Sequence, residues 1–107
     1  MSERPNIAVI ALSGELDIAR KAELRAALSV DAADGVLLDM SNVDYADSTA
    51  LTELLRFRLH AKEREVPVAV VVATPQLDRI VRYAGLYEVF DVFSNRDDAR
   101  RHLEKAA

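Results

Sequence analysis

Apolar residues fall into short continuous runs, and between the runs they recur at three- and four-residue spacing. Ile7-Ala8-Val9-Ile10-Ala11-Leu12 is rich in β-branched residues and predicts a strand that Gly14 punctuates. Asp17 stands at an N-cap position before a helix from Ile18 to Leu28, in which Leu24 and Leu28 lie four apart among Arg20, Lys21, Glu23 and Arg25. After Gly35, Val36-Leu37-Leu38-Asp39-Met40 predicts a second strand, followed by a polar loop. The longest helix is expected from about Ser48 to Glu65. On it Leu51, Leu55 and Leu59 form one stripe and Ala50, Leu54, Phe57 and Ala61 its neighbour, together a broad buried face. Thr49, Glu53, Arg56 and His60 share the opposite, solvent side.

Pro67 stops that helix, and Val68-Ala69-Val70-Val71-Val72 is apolar throughout, as a central strand covered on both faces would be. Thr74-Pro75 reads as N-cap and first helical residue of a helix to about Tyr83, which Gly85 ends. Val89-Phe90-Asp91-Val92-Phe93 predicts a short strand. Ser94 with Asp97 three residues on resembles a capping box and starts a last helix reaching about Lys105. The order is β-α-β-α-β-α-β-α, with an extra short strand expected near Gly14-Glu15-Leu16. Such alternation predicts one sheet with helices packed on it. Right-handed crossovers would gather the loops at Asp17, Asp47 and Thr74 along one sheet edge.

Composition narrows the function. A chain of 107 residues has the size of one domain. The absence of cysteine excludes a disulfide framework, a thiol nucleophile and a Cys-based zinc site. No run reaches the roughly 18 apolar residues of a membrane span, and Met1 to Asn6 lacks a signal-peptide pattern. The expectation is a cytoplasmic protein without membrane insertion. The net charge of −4 is concentrated in residues 1–50, which hold nine acidic and four basic side chains. That disfavours nucleic acid and suits either a basic protein partner or solubility alone.

Candidate chemistry centres on Ser48. It stands at the N-cap or first position of the longest helix, where N–H groups lack intrahelical acceptors and the dipole is positive. A phosphoryl group there would be tolerated without melting the helix. The plainer alternative is that Asp47 or Ser48 is only a cap. Asp17 is likewise either a cap or a neighbour of Ser48 that orients its hydroxyl or a kinase-bound magnesium, with Glu15 at the rim. His60 and His102 have no metal-ligand companions at useful spacing and read as surface residues, so no metal is expected. Ser48 lacks a Gly-x-Ser-x-Gly elbow, and three glycines form no phosphate cradle or dinucleotide fingerprint. No cofactor and no catalytic residue are expected.

Gly14-Glu15-Leu16-Asp17 after the first strand, and Leu38-Asp39-Met40-Ser41-x-Val43-x-Tyr45-x-Asp47-Ser48-Thr49-Ala50-Leu51 after the next, resemble the STAS domain of the anti-sigma factor antagonist type. The resemblance covers essentially the whole chain. It implies a single STAS-type α/β domain over residues 1–107, with a four- to five-stranded mixed sheet and about four packed helices. It further implies that Ser48 is the phosphoacceptor of an anti-sigma factor that is also an ATP-dependent serine kinase. The unphosphorylated antagonist binds that factor and frees the sigma factor; phosphorylation blocks binding, and a PP2C-type phosphatase restores it. Asp17 would lie near the phosphoacceptor, and Asp47, Thr49 and Ala50 would surround it. The family usually has glycine where this chain has Ala50, and Thr49 is an alternative acceptor. The partner surface is expected at Glu15, Asp17, Asp47, Ser48, Thr49, Glu53, Arg56 and His60. The competing expectation is a constitutive STAS accessory or scaffold subunit of a membrane transport or stress-signalling complex, with Ser48 a mere cap. A small nucleotide-binding enzyme is a third class.

Overall fold

Strand β1 (Ile7–Leu16) and strand β2 (Gly35–Ala46) run parallel and keep their ends level, Ile7 beside Gly35 and Leu16 beside Ala46. The computed structural model describes residues 5–29 and 33–106. β1 spans 10 residues and β2 spans 12. Two register shifts, one between Ala11 and Ser13 and one after Gly14, absorb the difference. The extra residues lie on β2, and Gly14 of β1 stands at the second shift with a φ of 79°, in the left-handed region. These shifts correct two expectations. Gly14-Glu15-Leu16 is the continuation of β1, not a separate strand, and Ser41 to Ala46 extends β2 where a loop was expected.

β3 (Val68–Val71) and β4 (Asp91–Phe93) complete a four-stranded sheet in the order β1-β2-β3-β4. Every pairing is parallel. The expected mixed sheet is therefore corrected to an all-parallel one, and no fifth strand is found among the described residues. The physical reason is that a helix separates each strand from the next, and such crossovers return the chain in the same direction. The intervening helices are α1 (Lys21–Ala27), α2 (Ser48–Glu63) and α3 (Pro75–Tyr83). A fourth, α4 (Arg96–Ala106), follows the sheet.

Leu24 of α1, Ala50 and Leu54 of α2, and Leu77 and Val81 of α3 meet Leu12, Leu16, Leu38, Met40 and Val70 on one face. Alternate strand residues Leu37, Ala69 and Val71 point the other way and are covered by Ala99 and Leu103 of α4. β2 and β3 are thus sandwiched, which explains their unbroken apolar runs. α3 has the limits its sequence predicts. Thr74 Oγ1 accepts the Leu77 N–H at 3.2 Å, Pro75 opens the helix, and Gly85 leaves it at φ 73°.

Other boundaries move. The first helix begins with a 3-10 turn at Ile18–Arg20 before α1 proper. α2 stops at Glu63, and Glu65 turns the chain at φ 58°. A 3-10 turn at Leu86–Glu88 shortens β4 to Asp91–Phe93. The start of α4 is capped by Asn95, not Ser94: Asn95 Oδ1 accepts the Asp98 N–H at 2.9 Å. On α2, Leu51 and Leu55 are half-buried and Leu59 is 58% exposed. Each step of four residues turns about 40° around a helix, so this row walks off the core while Ala50, Leu54, Phe57 and Ala61 stay in it.

An ion pair between a buried carboxylate and a half-exposed arginine ties the back of the sheet to α4. Asp39, 5% exposed in the middle of β2, accepts from Arg96 Nε at 2.5 Å and from the Ser41 N–H at 2.9 Å. Burial pushes the Asp39 pKa up. Hydrogen bonds from the Ser41 hydroxyl and N–H and the Arg96 guanidinium outweigh it, holding the carboxyl below its ordinary 3.8. A carboxyl lowered on folding stabilises the protein above the unfolded pKa, and that stabilisation is lost as pH falls through the folded value. Asp39→Asn is therefore expected to lower stability at neutral pH and to flatten the acid limb of stability below about pH 4. Urea denaturation across that range measures both effects. Leu103→Ala, which empties the fully buried contact of α4 with the sheet, is expected to cost about 2–5 kcal/mol in the same measurement.

Candidate functional site

The level ends of β1 and β2 set the geometry of the site. Leu16 and Ala46 are buried, at 0% and 3% exposure, so the residues after them, Asp17 and Asp47, emerge side by side at one sheet edge. Each caps the helical turn that follows. Asp17 Oδ1 accepts the Ala19 N–H at 3.1 Å, and Asp47 Oδ1 accepts the Ala50 N–H at 2.9 Å. The second Asp47 oxygen crosses to the neighbouring turn and accepts the Ile18 N–H at 3.0 Å. The Asp47 N–H in turn donates to the Leu16 carbonyl at 2.9 Å. One aspartate thereby satisfies orphan donors of two helical starts. Thr74 joins the same edge, its hydroxyl donating to the Val43 carbonyl at 2.8 Å.

Because Asp47 is the N-cap, Ser48 is the first residue of α2 and is not needed as a cap. Its side chain is exposed, and its hydroxyl makes no hydrogen bond among the described residues. Its carbonyl accepts the Thr52 hydroxyl at 2.8 Å. Thr49 is half-buried beside it. Ala50 is fully buried, its N–H on Asp47 and its methyl in the core. Glu15 is exposed opposite Tyr45.

Arg56 and His60 lie on the exposed side of α2, as their spacing predicts, but Glu53 does not. Its side chain is 2% exposed. Arg25 of α1 covers it, with Nε 2.5 Å from Oε1, and Arg56 Nε stands 3.6 Å from Oε2. α1 packs over this stretch of α2, so one position of the expected solvent stripe became an interhelical ion pair. The Arg25 hydrogen bond lowers the Glu53 pKa; burial opposes it, and the charges of Arg25, Arg56 and Lys21 reinforce it, so the carboxylate is ionised.

Two cavities open along this seam. One of about 290 Å³ is lined by Arg25, Leu28, Glu53, Arg56, Phe57 and His60. One of about 210 Å³ reaches Ser48 and is lined also by Lys21, Thr49, Thr52, Glu53 and Arg56.

Three contributors to this edge were missed from sequence. Arg20 donates to the Ser13 carbonyl at 2.6 Å and to the Glu15 carbonyl at 3.0 Å, bracing the backbone around Gly14. Ile18 and Tyr45 are 69% and 44% exposed and give the surface beside Asp47 an apolar component. Helical phase carried a signal for Ile18: it lies six residues before Leu24, about 120° around the helix from the buried position.

The arrangement does not assemble a hydrolase. Ser48 and His60 are separated by roughly 18 Å along α2. His102 pairs with Asp91 at 3.0 Å and lies against Phe93. Among the described residues, no three His, Cys, Asp or Glu side chains are grouped to hold a metal ion, and no helix is long and apolar enough to cross a membrane.

Replacing Asp47 should be felt at both turns. Asp47→Ala is expected to cost about 1–2 kcal/mol. In hydrogen exchange, the Ile18 and Ala50 amides should lose protection while those of α3 keep theirs.

A model of the STAS domain family matches residues 1–99. Over 109 residues the chain is 24% identical to a Paenibacillus polymyxa protein named anti-sigma F factor antagonist, covering 97% of this chain and 92% of that protein. Solved structures share the fold. An anti-sigma factor antagonist from Mycobacterium paratuberculosis superposes with a TM-score of 0.79 at 22% identity, covering 95% of this chain and 89% of that one. A sulfate transporter family protein from Wolinella succinogenes gives 0.77 at 17% identity, with 94% and 86% covered. The anti-sigma factor antagonist SpoIIAA in its unphosphorylated form gives 0.64 at 17% identity, with 92% and 87% covered.

Proposed function

The chain belongs to the STAS domain family, and on that premise we propose that it is an anti-sigma factor antagonist switched by phosphorylation of Ser48. The observation that carries this reading is the division of labour at the start of α2. Asp47 does the capping, so the Ser48 hydroxyl is exposed and unengaged. A kinase can modify it without removing a structural hydrogen bond. The curated relative named as an anti-sigma F factor antagonist, matched along nearly its whole length, supports the same reading.

The partner is an anti-sigma factor that is also a serine kinase, with a PP2C-type phosphatase resetting the switch in the cytoplasm. The docking surface consists of Glu15, Ile18, Tyr45, Ser48, Thr49, Arg56 and His60. Asp17 and Asp47 shape it through the backbone, and Glu53 belongs to the ion pair beneath it. The domain is a substrate and a binding module and performs no catalytic step. Phosphorylation adds about −1.5 to −2 charge on an otherwise unchanged fold, which changes what the surface attracts. Ala50 is compatible with this switch, because its methyl faces the core and its N–H is held by Asp47.

The likeness to a sulfate transporter family protein favours a second reading, a constitutive docking subunit in which Ser48 is never modified. Intact-mass measurement and site mapping of protein from its native host separate the two. Phosphate on Ser48 supports the switch, and an unmodified Ser48 across growth and stress conditions supports permanent docking. Under the switch, Ser48→Glu should weaken binding to the anti-sigma factor about tenfold or more, roughly 1.4 kcal/mol. Ser48→Ala should bind as the unmodified protein does and accept no phosphate. Equal phosphate incorporation into Ser48→Ala would reassign the acceptor to Thr49.

A further inference from the structure

The cations where α1 meets α2 are unequally employed. Arg25 is committed to Glu53, with Nε at 2.5 Å and Nη2 at 3.5 Å from its two oxygens. Arg20 is committed to Glu23 at 2.6 Å and to two carbonyls of β1. Arg56 approaches Glu53 only to 3.6 Å, beyond hydrogen-bond length, and its side chain is 65% exposed. Lys21 forms no ion pair among the described residues, although its charge acts on Glu53. These two under-used cations come from different helices, yet both line the cavity of about 210 Å³ that Ser48 borders. The acids around it are already occupied. Glu53 has Arg25, Asp47 accepts from Ala50 and Ile18, and Asp17 accepts from Ala19.

We propose that this cavity is an anion seat, walled by Lys21 and Arg56, that takes the phosphoryl group carried by Ser48. The inference rests on Ser48 as the phosphoacceptor and adds what receives the new charge inside the domain. A phosphoryl group presents three strong acceptor oxygens, which match an ammonium from α1 and a guanidinium from α2. Helical side chains lean toward the N-terminus of their helix, so Arg56 reaches back in the direction of Ser48. Seating the phosphoryl draws Arg56 from its loose contact with Glu53, while Arg25 keeps that carboxylate paired. The exposed face of α2 then gains a dianion and loses a projecting cation in one event. The helix cap, the core and the Arg25–Glu53 pair stay as they are.

The test installs phosphoserine at position 48 of the full chain during synthesis, so its outcome does not depend on any kinase. Phosphorus NMR follows the second ionisation, which lies near 6 for a free phosphoserine. The expected midpoint in the folded protein is lower than in the same protein unfolded in urea by about half a pH unit or more. Lys21→Ala with Arg56→Ala should move the folded midpoint most of the way back, and circular dichroism checks that the variant is folded. A folded midpoint no lower than the unfolded one overturns the seat. So does a lowered midpoint that the double variant leaves in place, since first-turn N–H groups then account for it. Whether host-expressed protein carries phosphate on Ser48 is a separate measurement, so the seat and the phosphoacceptor reading fail independently.

Discussion

The carboxylate of Asp47 is the constraint on which the functional edge depends. Two parallel strands finish level, and each must hand its chain to a helical start whose first N–H groups have no internal acceptors. A separate cap on each turn would not join the two starts to one another. Asp47 accepts from Ala50 on its own helix and from Ile18 on the neighbouring turn, and its N–H closes back on the Leu16 carbonyl. The ends of β1 and β2 and the starts of the two helical segments after them thus share one anchoring side chain. Ser48 inherits a fixed position from this arrangement and contributes nothing to maintaining it. That is the condition a modifiable hydroxyl has to meet if the domain is to survive modification unchanged.

Much of the fold was legible because local chemistry and tertiary packing agree. Thr74-Pro75 and Gly85 bound α3 in the sequence and in the structure, since cap hydrogen bond, proline φ and left-handed glycine are all local requirements. The second half of β2 was hidden because its register shifts break the two-residue alternation that identifies a strand: Val43 and Ala46 are buried, three apart, among polar neighbours. Gly14 reads as the end of β1 and is instead a residue inside it, at φ 79° beside the second register shift. Ser94 and Asn95 are both good caps, and only the geometry of the Asp98 N–H selects Asn95.

At the site, residue types were legible and their employment was not. Asp17, Asp47 and Ser48 were singled out by their places before helices. Which of Asp47 and Ser48 caps α2 is a difference of one residue that propensity does not resolve. Glu53 looked solvated on helical spacing because nothing local announces that Arg25, 28 residues earlier, lies over it. Charge counting, likewise, does not say which carboxylates are solvated. Of the acids in the first half of the chain, Asp39 and Glu53 are buried against arginines and Asp17 and Asp47 accept backbone N–H groups, while Glu15, Glu23, Asp34 and Asp44 remain exposed.

This redistribution changes how a phosphate at Ser48 is to be understood. Set among solvated carboxylates, a dianion would be repelled and would strain the start of α2. Here Asp47 and Glu53 hold donors of their own, and the cations left over, Lys21 and Arg56, line the space next to the hydroxyl. On the proposed reading, the same geometry that protects the cap also places two cations where a phosphoryl on Ser48 would meet them. A partner that docks on the unmodified edge meets exposed Arg56 and the apolar faces of Ile18 and Tyr45. Under the proposed seat it would meet the same apolar faces with the positive charge of Lys21 and Arg56 taken up by the phosphoryl group. Discrimination between the two states then needs no movement of the backbone, only a partner whose own charge is complementary to one of them.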